Sequence, residues 1–196
     1  MKIIAWSDIH GDLDRIEKLH SLDIDYDLLI VPGDLSIFER DIIKVLSKLS
    51  SFKKVLLIPG NHEESIDVTL FDNIFNIHKT FYDSGEYRFL GLGHGGFSEF
   101  DPNAKILNPY VNSKKKNILI THAPPYGTNL DILNEKHIGN KTISKFIKKN
   151  KFNFVLFGHL HEKEGQIDFL NGSTLINCGI PFKINLDTGN YEKILI

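Results

Sequence analysis

Continuous apolar runs alternate with amphipathic stretches in the first part of the chain. The runs at residues 2–6, 28–31 and 54–58 predict buried strands, because a strand covered on both faces shows no polar alternation. Between them, apolar residues recur at helical spacing and predict helices at residues 13–21 and 41–49. This order of elements predicts an α/β fold built on a parallel sheet with crossover helices.

The rest of the chain predicts shorter elements. Residues 69–75 and 142–150 predict helices, and residues 91–116, rich in glycine, proline and asparagine, predict a long surface loop. Short strands are predicted at residues 81–82, 87–90, 117–121, 154–157, 166–170, 174–176, 182–186 and 191–195, the last two joined by a hairpin turn at 187–190. Neither a repeat nor a linker divides the sequence, so we expect residues 1–196 to form one domain.

Five polar blocks follow directly after five of the predicted strands. They are Asp8-Ile9-His10, Gly33-Asp34, Gly60-Asn61-His62-Glu63, Thr121-His122 and Gly158-His159-Leu160-His161. Because ligands of an open α/β sheet gather beyond the carboxyl ends of its strands, we expect these blocks to meet. They hold three carboxylates, one amide and five imidazoles, enough ligands for two metal ions. Two metals about 3.5–4 Å apart acidify a water and clamp an in-line displacement at phosphorus.

The nature of the ligands narrows the choice of metal. Oxygen and imidazole ligands without thiolate suit manganese, iron, zinc or nickel. Glycine followed by Asp or Asn is also common in turns, which would explain Asp34 or Asn61 taken singly. Turns do not explain five histidines at one edge of a sheet. We therefore favour a metal site over a set of turn residues.

The five blocks, in this order and at these separations, resemble the signature of the calcineurin-like metallophosphoesterase superfamily over residues 8–161. Residues 121–127 also resemble small archaeal and bacterial members and the class III cyclic-nucleotide phosphodiesterases. The resemblance implies a four-layer αββα sandwich with two mixed β-sheets and a metal site at the C-terminal ends of the strands. It further implies a hydrolase that cleaves phosphodiesters through a metal-bound hydroxide, with manganese as the first choice of ion.

The resemblance also implies a role for each polar residue. Two divalent metal ions would share Asp34 as a bridge. The other ligands would be Asp8, His10 and His161 for the first ion, and Asn61, His122 and His159 for the second. His62 would not bind metal but would stabilise the transition state and protonate the departing alkoxide. The family often has Asp after this histidine, and Glu63 at that position could change how His62 is oriented.

Several other features have two interpretations. Phe97, Phe100, Tyr110 and Tyr126 fall in predicted loops, where they would either stack on an aromatic substrate or cover the core. His94, in the glycine-rich loop, is a candidate substrate contact. Residues 91–96 satisfy the pattern G-x-G-x-x-G, but the residues that follow, through Pro102, start a helix poorly, so we expect no nucleotide cofactor there.

Composition limits the class of protein. A net charge of −2 shows no basic excess, so we expect a small phosphoester substrate and no stable nucleic-acid binding. The single cysteine, Cys178, cannot form an intrachain disulfide and is expected to be a buried small residue. With neither a signal peptide nor an apolar run near the roughly 18 residues of a membrane span, we expect a soluble, cytoplasmic protein without membrane contact. No pattern indicates the oligomeric state.

The preferred function is hydrolysis of phosphodiesters, and the alternatives are a phosphomonoesterase, a nuclease or a non-catalytic binding scaffold. The diester preference depends on the subgroup resemblance and on the lack of an obvious arginine near the blocks. The three arginines are Arg15, Arg40 and Arg88. Nucleases of the superfamily usually carry further DNA-binding domains. Scaffolds with this fold typically lose ligands or the catalytic histidine, whereas His62 and every expected ligand are present here.

Overall fold

The computed structural model describes residues 1–101 and 103–196. Its strands are β1 (Lys2–Ala5), β2 (Leu28–Val31), β3 (Val55–Leu57), β4 (Ile74–Asn76), β5 (Phe81–Ser84), β6 (Tyr87–Leu92), β7 (Lys116–Thr121), β8 (Ile132–Leu133), β9 (Lys136–His137), β10 (Phe154–Phe157), β11 (Ile167–Leu170), β12 (Ser173–Asn177), β13 (Phe182–Asn185) and β14 (Tyr191–Lys193). Its helices are α1 (Leu13–Ser21), α2 (Ile42–Leu49) and α3 (Lys141–Lys149), with 3-10 turns at Pro102–Tyr110, Asn129–Asp131 and His161–Lys163.

Most of the strands form two mixed, six-stranded sheets. The first has the order β14-β13-β1-β2-β3-β4, and the second has the order β11-β12-β10-β7-β6-β5. Strands β1 to β4 run parallel in the first sheet, as do β6, β7, β10 and β12 in the second. The carboxyl ends of the central strands in each sheet therefore lie at one edge. Strands β8 and β9 form a separate small pair.

The alternation of side chains along β1 explains the layering. Ile3 and Ala5 belong to a core between the two sheets, while Ile4 and Trp6 belong to a second core beneath α1 and α2. A third core joins α3 and the 3-10 turn Pro102–Tyr110 to the outer face of the second sheet. Both sheets are covered on both faces, which is why their central strands are continuously apolar. This confirms the predicted four-layer αββα sandwich with two mixed sheets.

Side-chain caps begin two of the predicted helices. Helix α1 begins after Asp12, whose carboxylate accepts a hydrogen bond from Arg15 N at 3.0 Å. Helix α3 begins after Asn140, whose side chain accepts from the backbone N–H groups of Thr142 and Ile143. The predicted hairpin near the C-terminus is also present, with β13 and β14 antiparallel. Short-range capping and turn chemistry was sufficient to locate these elements.

Two expectations were wrong. Residues 69–75 do not form a helix; β4 begins within them and pairs in parallel with β3, with Val55 opposite Ile74. Pairing with the open edge of β3 overrides the local helical pattern. The segment 91–116 is not one surface loop, because it contains the 3-10 turn Pro102–Tyr110, in which Ala104 and Leu107 are buried. Pro102 itself lies outside the described residues.

Two further observations concern the expectations drawn from composition, for the single cysteine and for membrane spans. Cys178 is fully buried, as predicted, and burial raises the pKa of its thiol. Within residues 1–101 and 103–196, the helices are too short or too polar to cross a membrane.

Candidate metal centre

The loops that follow β1, β2, β3, β7 and β10 bring all the predicted site residues together at one edge of the two sheets. Three groups have ligand atoms within 4.8 Å of one another: Asp8, His10 and His161; His10, Asp34 and His62; and Asp34, His122 and His159. Asn61 joins the last group, because its Oδ1 lies 2.8 Å from Nε2 of His122. The first sheet contributes the carboxylates, and the second contributes most of the histidines.

The backbone at this edge adopts a conformation that most residues avoid. The φ angles are +56° at Asp8, +50° at His10, +52° at Asp34 and +71° at His159. Left-handed non-glycine residues cost about 1–3 kcal/mol each and cluster at functional sites, where the surrounding structure enforces them. Asp and His tolerate this region better than bulkier residues. The surrounding fold therefore holds these four residues in a strained backbone conformation.

Glycines next to the ligands permit a very close approach of side chains. A Cβ at Gly60 would overlap Oδ1 of Asp34, and a Cβ at Gly158 would overlap Oδ2 of Asp8. Such overlaps are forbidden, so each carboxylate occupies space that only glycine leaves free. This explains why two of the polar blocks begin with glycine.

The donor atoms around His122 fit a cation. Its Nδ1 lies 2.9 Å from the carbonyl oxygen of Pro32, which can only accept, so Nδ1 carries the hydrogen. In the neutral ring, Nε2 then directs a lone pair at Oδ1 of Asn61, 2.8 Å away, and at Oδ2 of Asp34, 3.3 Å away. Three electron-donating atoms converge without a hydrogen between them. A divalent ion at this point satisfies all three.

When no metal ion is bound, a proton on Nε2 of His122 occupies this position instead, as the pKa values show. Burial lowers the pKa of His122, but the hydrogen bond and charge of Asp34 outweigh it and raise the pKa to about 9. Burial raises the pKa of Asp34, yet the hydrogen bonds from His122 and from the backbone of His62 bring it down to about 2. The buried carboxylate therefore stays ionised and attracts positive charge.

His159 completes this side of the centre. Its Nε2 is buried and finds no hydrogen-bond partner among the described residues. Burial, followed by the nearby His122, lowers the pKa of His159 to about 4, so its ring is neutral near pH 7. A neutral imidazole with a free nitrogen is the form that binds metals.

On the other side of the centre, two imidazole nitrogens face each other. Nε2 of His10 lies 3.3 Å from Nε2 of His161. Nδ1 of His161 lies 2.8 Å from Oε1 of Glu164, which fixes its hydrogen on Nδ1 and leaves Nε2 with a lone pair. Asp8 accepts hydrogen bonds from the backbone N–H of His159 at 3.1 Å, which links both sides. The residues at both positions therefore fit divalent ions.

His62 lies beside the centre and is partly accessible. Its Nε2 is 3.9 Å from Oδ2 of Asp34, and its side chain is 22% exposed. Its ring lies 5.0 Å from that of His10. Its backbone N–H donates to Oδ1 of Asp34 at 3.1 Å, which orients the carboxylate. This position lets the imidazole reach a group bound at the metal centre.

Glu63, next to His62, contacts two of the loops that carry the site. Its carboxylate is buried and accepts from Ser36 N and Gly60 N, both at 2.9 Å, and from Ser36 Oγ at 3.2 Å. These contacts join the loop after β2 to the loop after β3. Glu63 therefore holds the loops of Asp34 and Asn61 at a fixed distance.

Glu63→Gln is expected to lower the free energy of unfolding by about 1–3 kcal/mol, because an amide cannot accept from all three donors and leaves at least one unsatisfied. Urea denaturation in the presence of a chelator measures this effect without a contribution from bound metal. The matched control is Glu64→Gln, since Glu64 is exposed, and it should change stability by less than about 0.5 kcal/mol. Equal denaturation midpoints for the two variants would contradict the assigned role.

The aromatic residues separate into three environments. Phe97 lies against His159, with ring centroids 4.4 Å apart, so it belongs to the site. Tyr110 packs on Phe81 and covers the third core. Lys141 lies over the rings of Phe100 and Tyr126, 5.5 and 5.0 Å from their centroids. His94 Nδ1 is 3.2 Å from the carbonyl oxygen of Gly60, which places it behind the loop after β3.

Residues 37–41 were missed by the sequence analysis. Phe38 lies against His62, and a cavity of about 220 Å³ is lined by His10, Gly11, Ile37, Arg40 and Asp41. No spacing or motif in the sequence indicated that this segment reaches the centre. Arg40 is therefore close to the site, whereas Arg88 is paired with Asp83.

Sequence comparisons identify similar proteins. A family model described as calcineurin-like phosphoesterase matches residues 1–163. The uncharacterised protein MJ1162 of Methanocaldococcus jannaschii is 31% identical over 194 residues, which cover 90% of this chain and 87% of that protein.

Solved structures show the same fold. The structure of TT1561 from Thermus thermophilus has a TM-score of 0.77 at 21% identity, covering 98% of this chain and 97% of that one. Phosphopantetheinyl hydrolase from Mycobacterium tuberculosis has a TM-score of 0.56 at 15% identity, covering 90% of this chain and 88% of that one. Similarity at these identities concerns the fold.

Proposed function

Since this chain belongs to the calcineurin-like phosphoesterase family, we propose that it is a dinuclear metal-dependent phosphodiesterase. The observation that carries the proposal is the convergence of donor atoms on both sides of Asp34. His10 and His161 face each other at 3.3 Å, and His122 faces Asp34 at 3.3 Å. Two ions that share Asp34 as a ligand would bind the donor atoms of both contacts.

These contacts support the following assignment of metal ligands. Asp8, His10, Asp34 and His161 would hold the first ion, and Asp34, Asn61, His122 and His159 would hold the second. When bound, the two ions supply an acidified water as nucleophile and neutralise the charge on the phosphate oxygens. Asn61 and His161 are exposed, whereas Asp34 and His122 are buried, so substrate approaches from the open side.

His62 would act on the leaving group. As the phosphorus–oxygen bond breaks, the departing alkoxide needs a proton, and an imidazole near neutral pH can supply it. Its Nε2 lies 3.9 Å from Oδ2 of Asp34, the carboxylate that both ions would share. Phe38 covers one side of the same ring, with centroids 4.6 Å apart.

The charges around the centre support a diester substrate. A monoester carries a second negative charge, which a free cationic side chain would be expected to neutralise. Arg40 lines the cavity beside His10; its side chain is 85% exposed, and its Nε lies 3.9 Å from Oδ2 of Asp41. Its charge is thus partly offset and screened by solvent. Because Arg40 is close to His10, hydrolysis of monoesters is the second candidate function.

We also propose manganese as the native ion, with iron, zinc and nickel as alternatives, because the donors are oxygen and imidazole. The test is hydrolysis of bis-p-nitrophenyl phosphate and p-nitrophenyl phosphate by chelator-stripped protein, with each metal restored in turn. Manganese-dependent turnover that is faster for the diester is the expected result. Faster turnover of the monoester would favour a phosphatase, and no turnover despite two bound ions would favour a binding scaffold.

A further inference from the structure

Phe38 occupies an unusual position for a large apolar side chain. It is 77% exposed, yet its ring lies 4.6 Å from the ring of His62 at a 45° tilt. Its neighbour Ile37 is 49% exposed. A cavity of about 310 Å³ is lined by Phe38, Glu39, Asn61, His62, Glu63 and Glu64. An apolar ring that faces solvent beside a reactive imidazole is typical of a surface that covers a ligand.

The backbone holds this ring in place. Phe38 and Glu39 both have left-handed backbones, with φ of +49° and +61°. This conformation is unfavourable for bulky residues and persists only where contacts enforce it. Glu39 provides such contacts, because its Oε1 accepts from Glu64 N at 2.7 Å and Ser65 N at 3.3 Å. The segment is anchored to the loop of His62, so the ring and the imidazole keep their relative positions.

We propose that Phe38 forms the leaving-group subsite and selects phosphodiesters whose leaving group carries a planar aromatic ring. The inference rests on the proposed function, because His62 marks the leaving-group side of the phosphorus. A flat ring attached to the departing oxygen would stack on the free face of Phe38 while His62 reaches that oxygen. Stacking on an aromatic side chain is tolerant of the identity of the ring, so both aryl groups and nucleobases fit.

The reaction conserves atoms and protons. The oxygen of water forms a bond to phosphorus, and the bond from phosphorus to the ring-bearing oxygen breaks. His62 donates its proton to that oxygen, and the water proton restores His62. The products are the ring-bearing alcohol and the phosphate monoester of the other substituent.

A matched pair of substrates isolates the ring. Benzyl methyl phosphate and cyclohexylmethyl methyl phosphate have leaving groups of similar size and acidity, but only the first is flat. We expect a higher kcat/KM for the benzyl ester and release of benzyl alcohol rather than methanol. The methyl ester of adenosine 5′-phosphate distinguishes the source of the ring: faster turnover than the benzyl ester assigns a nucleobase, and slower turnover assigns a simple aryl group.

Variants test the residue itself. Phe38→Ala should lower kcat/KM for the benzyl ester roughly 5- to 100-fold, with a much smaller effect on the cyclohexylmethyl ester. Phe38→Leu, which keeps an apolar side chain without a flat face, should abolish the preference for the ring. The control is Phe169→Ala, because Phe169 is 65% exposed on β11. Equal losses on both esters, release of methanol, or a selective loss in Phe97→Ala instead would overturn the assignment.

A binding measurement keeps this inference separate from catalysis. Benzylphosphonate and cyclohexylmethylphosphonate contain carbon–phosphorus bonds that water does not cleave, and calorimetry gives their affinities for the metal-loaded protein. Tighter binding of benzylphosphonate that is lost in Phe38→Ala supports the subsite even if no ester is hydrolysed. Equal affinities, or an unchanged preference in the variant, would disprove it. Absence of turnover alone would count against the proposed function.

Discussion

Asp34→Asn is expected to remove at least one of the two proposed metal ions and to lower phosphoester turnover by about 1,000-fold or more, since each ion would supply several kcal/mol of transition-state stabilisation. The amide keeps the shape of the carboxylate but loses its charge and one of its two acceptor oxygens. It therefore cannot bridge two cations. Residue Asp34 is 2% exposed, so water cannot replace the missing ligand easily.

Metal content and turnover should be measured on the same preparation after removal of loosely bound ions. Asp23→Asn is the matched control, because Asp23 is exposed and precedes β2, whereas Asp34 follows the other end of that strand. The control should keep two ions and normal turnover. Two tightly bound ions in Asp34→Asn would show that this carboxylate is not the bridge.

His62→Ala should lower turnover of alkyl phosphodiesters by roughly 100-fold or more, which is the usual contribution of a general acid. Metal content should stay near normal, because the donors of Asp34 and His122 remain in place. The loss should be smaller for p-nitrophenyl esters, since p-nitrophenolate is a weak base that departs without a proton. This dependence on the leaving group distinguishes proton donation from a purely structural effect.

The comparison uses one ester with an alkyl leaving group and one with p-nitrophenolate, each assayed with saturating manganese. His20→Ala is a suitable control, because His20 is exposed at the end of α1 and lies against Phe52. Equal losses on both esters would argue that His62 positions other groups. Loss of one metal ion in His62→Ala would identify it as a ligand, in line with its place in the group with His10 and Asp34.

Much of the fold could be predicted from the sequence because the signals for its helices and strands are local. Helix α1 has its cap at Asp12 and two buried apolar residues one turn apart, and β2 is a continuous apolar run. The polar blocks were found for the same reason, since each follows its strand within a few residues. The carboxyl ends of parallel strands then bring them to one edge.

The parts that escaped prediction depend on contacts between distant segments. Strand β4 exists because the edge of β3 is available, and residues 69–75 alone do not reveal that partner. Phe38 reaches His62 because Glu39 bonds to the backbone of residues 64 and 65, a contact that no spacing encodes. The left-handed backbones of Asp8 and Asp34 are likewise imposed by the surrounding fold.

The proposed sharing of one ion by two distant histidines would also determine when the protein can take up metal. His10 and His161 are 151 positions apart, yet their Nε2 atoms lie 3.3 Å from each other. During synthesis, β1 and its ligands leave the ribosome long before β10, and a domain generally folds as a unit. An ion captured earlier would meet only part of its ligands and dissociate readily. Metal loading would therefore be one of the last events in the maturation of this protein, after both sheets have formed.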